Sequence, residues 1–355
     1  MSSSDRVITN YRDQKPNRNR GGRVYWDNGN RRNIFCEGTK LYSYGYHFPL
    51  ASLIGTEHPG TDEQRHVFVK NGDRVSSTTS GHQSETQRLC PGPTVSRTAL
   101  RAAGIDFDEL GLVPQKDLSV PEGEAGAPEI LFWRQDSRVY VWRHKDGHYT
   151  TAHDYPAKRF TPPDQGMFVP LDAKHMGETD TKRKKYGCWH VLGAAVIEQE
   201  GKYYLCGLDG GTYFVCQLPR KPRNCDDAYE ILKPREVRAA EKQGIVVPRQ
   251  GEWFFVPTDM DDDRLASLLS WTKTKLAEHS KVEALPHEKD GNLHVCRHLS
   301  LQNGKRIYAR GKVFHRSPFT GQRTGQHQTV DLGDQWHVAY HNTAVRSWSM
   351  SGRFD

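Results

Sequence analysis

The sequence predicts an α+β fold, β-rich, built of antiparallel hairpins and a meander with intermittent short helices. Three observations carry this expectation. Runs of strand-like polarity are separated by Gly-containing turn pairs. Helical windows are short and end on breakers such as Pro91, Gly104 and Gly244. No regular strand–helix–strand alternation occurs, which favours α+β.

Taken in order, residues 1–33 are rich in Arg, Asn, Gly and Ser without apolar period and read as a flexible basic arm. An N-terminal α+β unit is expected over 34–113. There Tyr42, Tyr44 and Tyr46 alternate at strand period, and Asn71-Gly72 signals a type I′ hairpin. Thr79 or Ser80 is placed to cap a helix through "GHQSETQRL", and "VSRTALRAAG" forms a second helix stopped at Gly104. The segment 114–129, "PQKDLSVPEGEAGAPE", has linker composition.

A central β-meander with helices is expected over 130–285. "ILFWRQDSRVYVWRHKDGHYTTAHDY" holds three strands, with turns at Gln135-Asp136-Ser137 and Asp146-Gly147. "CWHVLGAAVIEQEGKYYLCGLDGGTYFVCQLP" holds three strand-like runs broken at Glu200-Gly201 and Asp209-Gly210-Gly211. Asn224 is placed to cap a helix through "DDAYEILK" with Asp226 and Asp227 in its first turn, where the dipole favours them. Pro234 opens another helix, Gln250-Gly251 turns a hairpin, and Asp259 to Asp263 open a helix with Leu265, Leu268, Leu269 and Leu276 on one face. Residues 286–355 form a C-terminal His-rich β unit.

Only 35% of the 355 residues are hydrophobic, below the usual share. Eight Trp, 15 Tyr and 13 Phe nevertheless exclude a mostly disordered chain. The seven cysteines are scattered without a C-x-x-C pair, which suits a reducing cytoplasm. No apolar run is long enough to cross a membrane, so the expectation is a soluble, untargeted, cytoplasmic protein.

The net charge of +7 is unevenly placed. Arg18, Arg20, Arg23, Arg31 and Arg32 crowd the N-terminus, and Lys182, Arg183, Lys184 and Lys185 form a second run. Such clusters suit a polyanion, DNA or RNA, because neutralising phosphates releases counterions. Trp26, Tyr42, Tyr44, Tyr46, Trp133 and Trp142 supply rings on which bases stack. The plain alternative is a set of solvated surfaces.

The chemistry-bearing stretch is "NLHVCRHLSLQNGKRIYARGKVFH", residues 292–315. A two-residue turn at Asn303-Gly304 pairs Ser300 with Ile307, His298 with Ala309, Cys296 with Gly311 and His294 with Val313. His315 then lies diagonal to His294, and His294, Cys296 and His315 share a face suited to zinc. Ordinary core with rim histidines is the alternative, and a bulge at Gly311 would move every pairing beyond it. Downstream, His327, Asp331, Asp334 and His337 follow; His315, His327, His337 and Asp334 converging would suit a metal-dependent, nuclease-like hydrolase. Thr79, Ser80 and His82 at a helix start offer an anion site, or simply a cap.

The phrases "YSYGYHFPLA", "NGDRVSSTTSGHQ", "RQGEWFFVP" and "LGDQWHVAYHNT" resemble a group of uncharacterised proteins encoded by phages and other mobile or plasmid-borne elements. The resemblance covers most of residues 34–345, in short islands, and brings no activity with it. The insertion "RSPFTGQRTGQ" before His327 departs from that pattern. The resulting expectation is a nucleic-acid-associated binding or accessory protein, whose partner is DNA, RNA or a host or phage protein. The alternative is the hydrolase.

Overall fold

The structure, a computed structural model, describes residues 3–15, 17–18, 24–25, 34–46, 48–58, 60–73, 76–112, 127–153, 158–162, 167–171, 184–209, 212–286, 293–301, 305–316, 323 and 329–349. Seven α-helices and several largely antiparallel sheets among these residues make the fold α+β and β-rich. The chain divides into two compact units, residues 1–207 with 224–226, and residues 208–223 with 227–355.

The first unit opens with α1 (Ser3–Arg12), β1 (Asn17–Arg18) and β2 (Val24–Tyr25). Then come β3 (Ile34–Glu37), β4 (Lys40–Ser43), β5 (Pro49–Glu57), β6 (Arg65–Asn71), α2 (Ser77–Leu89), β7 (Thr94–Val95), α3 (Arg97–Ala102) and β8 (Gly111–Leu112). The order β3-β4-β5-β6-β7 forms one sheet, antiparallel except for the parallel β6–β7 pair. Val7, Ile8 and Tyr11 of α1 are buried against Leu41, Leu50, Ala51 and Phe68 of this sheet. Residues 3–12 are therefore a packed helix and not part of a flexible arm. Their apolar positions at i, i+1 and i+4 lie on one helical face, a stripe too short to stand out in a basic sequence.

Asn71 does not turn a hairpin. Its side chain is buried, donating to the Pro49 carbonyl (3.1 Å) and accepting from the Asp73 N–H (3.0 Å). That side-chain bond ends β6 and turns the chain toward α2, the Asx behaviour that competes with a hairpin. The helix starts earlier than expected, because Ser76 is the cap and accepts from the Thr79 N–H.

Next come β9 (Glu129–Arg134), β10 (Ser137–His144), β11 (Tyr149–Thr151), β12 (Arg159–Phe160), β13 (Met167–Pro170), β14 (Lys184–Val191), β15 (Ala194–Gln199) and β16 (Lys202–Asp209). A five-stranded antiparallel sheet has the order β12-β11-β10-β14-β13, while β16, β15, β9 and β8 line up in another. Strands β9 to β16 of the region expected as one meander thus divide between two sheets, and Leu192-Gly193 is the corner between β14 and β15. The parallel pairing of Leu112 with Ile130 joins the chain on either side of the expected linker within this unit.

The second unit holds β17 (Thr212–Leu218), α4 (Cys225–Leu232), α5 (Arg235–Lys242), β18 (Arg249–Gln250), β19 (Trp253–Pro257), α6 (Asp262–Leu268), α7 (Lys273–His279), β20 (Lys281–Ala284), β21 (Leu293–Leu301), β22 (Arg306–Arg316), β23 (Val330–Asp331), β24 (His337–His341) and β25 (Arg346–Ser349). One sheet runs β18-β19-β24-β22-β21-β20, so it crosses the boundary expected at 285/286. The single helix expected after Asp259 is two, broken at Ser270 with φ +55° and recapped by Thr272. Leu265 and Leu276 are buried, whereas Leu268 is 58% exposed. This sheet is buried on both faces. Trp253, Phe255, Cys296, Ile307, Ala309 and Val313 fill one side, and Leu299, Tyr308 and Trp336 pack with Leu265 and Leu276 on the other.

Candidate functional site

The end of the β10–β14 sheet concentrates positive charge. Arg143 of β10 lies directly opposite Lys185 of β14, and His144 opposite Lys184. Lys145, Lys158 and Arg159 belong to the same end of the sheet, where Asp146 is the one carboxylate in the described strands and turn. Arg143 and Lys185 are exposed, and among the described residues neither forms an ion pair. Like charges facing across a ladder are destabilising. Of the basic residues singled out in the sequence, Lys184 and Lys185 lie in β14 and Arg18 in β1; Arg20, Arg23, Arg31, Arg32, Lys182 and Arg183 lie outside the described residues.

Arg143, Tyr149, Phe168 and Trp189 escaped sequence reasoning. The Asp146-Gly147 turn could have registered β10 against β11, but β14 joins from about forty residues on, and no local signal encodes that pairing. Of the rings proposed for stacking, Tyr44 and Tyr46 are exposed, Trp142 is buried, and Trp133 is committed to Glu57 through its Nε1–H (3.1 Å).

At the start of α2 the hydroxyls serve the helix itself. Ser76 Oγ takes the Thr79 N–H, and Ser80 Oγ donates back to the Ser76 carbonyl (2.8 Å). His82 is buried, its Nδ1 2.8 Å from Ser43 Oγ and its ring stacked with Tyr44 at 5.6 Å. Burial lowers its pKa. Thr79, Ser80 and His82 thus each have a polar side-chain atom engaged within the fold.

In the C-terminal sheet the hairpin pairs Ser300 with Ile307 and His298 with Ala309. Beyond these the register shifts. Gly311, Lys312 and Val313 together oppose Cys296, so His294 faces His315 and not Val313. The reason is a bulge at Gly311, φ +70°, where β22 bonds Gly333 and Leu332 on its other side.

The two imidazoles touch, with Nε2 atoms 2.5 Å apart and rings nearly perpendicular. At this distance one nitrogen donates its proton to the other. Zinc at 2.0–2.1 Å from both would hold them roughly 3.4 Å apart, so the rings as placed do not fit an ion between them. Glu252 lies 3.9 Å from His294 Nδ1, and Cys296 lies in the apolar cluster.

His298 and His337 flank Ala309 from β21 and β24. Each ring directs Nδ1 at a backbone carbonyl, Cys296 O at 3.4 Å and Gln335 O at 3.1 Å. A carbonyl only accepts, so Nδ1 carries the proton and Nε2 the lone pair. Burial lowers both pKa values and keeps the rings neutral. Asp331 and Asp334 are exposed, and His327 lies outside the described residues. Among the described residues no three His, Cys, Asp or Glu side chains converge as a metal-binding set. No helix is long and apolar enough to cross a membrane among them, and all seven cysteines are buried.

No protein family, curated protein or solved structure matches this chain.

Proposed function

We propose that this protein is a nucleic-acid-associated binding protein that uses the β10–β14 sheet as its contact surface. The carrying observation is the cross-strand pair Arg143 and Lys185, two exposed cations held face to face without a carboxylate between them among the described residues. A polyanion removes that repulsion, and each phosphate neutralised releases a counterion. The neighbouring Lys145 extends the same field, and Lys158 and Arg159 add charge on the adjoining strand. Such a role is in keeping with an accessory protein of a phage or mobile element.

The test is binding of a labelled oligonucleotide across a salt series. Affinity falls steeply with salt, and R143A/K185A flattens the log–log slope by roughly 1.4 for a single strand, about 0.7 for each phosphate that is no longer neutralised. Absent or salt-independent binding would remove the proposal.

A metal-dependent hydrolase remains the second reading, supported by the approach of His294 and His315. It requires the rings to part. One equivalent of zinc in tag-free protein would favour it, and metal well below one equivalent counts against it.

A further inference from the structure

One face of the same five-stranded sheet gathers four half-buried rings. Tyr149 meets Trp189 edge-on at 5.3 Å and Phe168 at 5.7 Å, and Phe160 lies 6.5 Å from Trp189. Alternation explains the gathering: Tyr149, Arg143 and Lys185 form one cross-strand row, and Trp189 and Phe168 form another on the same face. Between the rows lies Gly187, opposite Val141. A Cβ at Gly187 would sit 2.5 Å from the Phe168 ring and against the Val169 carbonyl, so glycine is what lets Phe168 lie down on the sheet. The result is a broad aromatic patch with the cation pair Arg143 and Lys185 at one end.

A duplex keeps its bases stacked on one another and presents phosphates and groove edges. A single strand presents phosphates together with free base faces. Phosphates alone would be served by the cations; the adjoining rings match the second kind of ligand. Resting on the nucleic-acid reading above, we propose that this face takes single-stranded DNA or RNA, with phosphates at Arg143 and Lys185 and bases against Tyr149 and Trp189. Such binding tolerates sequence, because every base has a π face.

The experiment is a competition with the full chain between a single-stranded oligonucleotide and its duplex, each as DNA and as RNA, read by anisotropy and tryptophan fluorescence. Single strands win, and the fluorescence is quenched on binding. Tyr149→Ala weakens single-strand affinity about 5- to 150-fold, the range for loss of one stacked base, while Tyr149→Phe preserves it. A matching unfolding midpoint for both variants keeps the comparison to binding. A difference between the DNA and RNA arms identifies a role for the 2′-hydroxyl and leaves the proposal standing. Equal affinity for single strand and duplex, both dependent on Arg143 and Lys185, would overturn the single-strand inference and leave the nucleic-acid role intact. No binding of any arm removes both.

Discussion

His294 and His315 face one another directly across β21 and β22, although they are separated from His298 and Ala309, an earlier pair of the same hairpin, by four and six residues respectively along their strands. The two surplus residues are absorbed at Gly311, whose φ of +70° a residue with a Cβ adopts only at a cost. A Cβ there would meet nothing within 4 Å, so space is not the constraint. Gly311→Ala should therefore cost about 1 kcal/mol through backbone strain alone. Urea unfolding measures it, and no loss of stability would show that the bulge relaxes without glycine.

Stability should depend on pH through His298 and His337. Burial lowers both pKa values below the ordinary 6.5, so the unfolded chain binds more protons as pH falls. The sign follows: stability is full above about pH 7 and declines from near pH 6.5 downward, through the folded pKa values. Urea midpoints between pH 5 and 8 should show this decline, and His298→Gln should make it shallower. A midpoint that rises on acidification would contradict the burial of neutral rings.

Lys70 is a buried ammonium, 2% exposed, donating to the Cys90 carbonyl at 2.9 Å. Burial pulls its pKa down to about 8. Lys70 therefore adds stability between pH 8 and about 10.4, where the unfolded chain keeps the proton that the folded one has lost, while the buried Cys90 and Cys225 thiols, pushed up to about 12 and about 11, act in the opposite direction above about pH 9. At pH 7 the charge costs about 3 kcal/mol, and Lys70→Met should recover about 1–3 kcal/mol after loss of the bond to Cys90. Chemical denaturation of wild type and Lys70→Met at pH 7 and 10 checks both statements, since the gap between the two proteins narrows with pH whatever the thiols do; a destabilised variant at pH 7 would point to a further role for the amine.

The cap of α2 is testable by two serines four residues apart. Ser76 satisfies the Thr79 N–H, so Ser76→Ala should cost about 1 kcal/mol. Ser80 only bonds back to the Ser76 carbonyl within the helix, and Ser80→Ala should stay within about 0.5 kcal/mol of wild type. Equal losses in thermal or urea unfolding would return the cap to the later position.

Local chemistry determined much of this protein. Alternation and turn residues were enough to place β9, β10, β11 and the β21–β22 hairpin, because strand period and Gly turns act within a few residues. Stop signals at Gly104 and Gly244 were legible for the same reason, as both adopt the positive φ that glycine permits. What tertiary structure alone decided was partnership. Asn71-Gly72 looked like a hairpin until Pro49 claimed the Asn71 side chain, and α1 looked like a loose arm until Leu41 and Phe68 covered Val7, Ile8 and Tyr11. The Arg143–Lys185 pair and the approach of His294 to His315 belong to this second class. Each depends on a register or a bulge set by several strands at once, and the energy that selects it comes from packing and hydrogen bonding between residues distant in sequence.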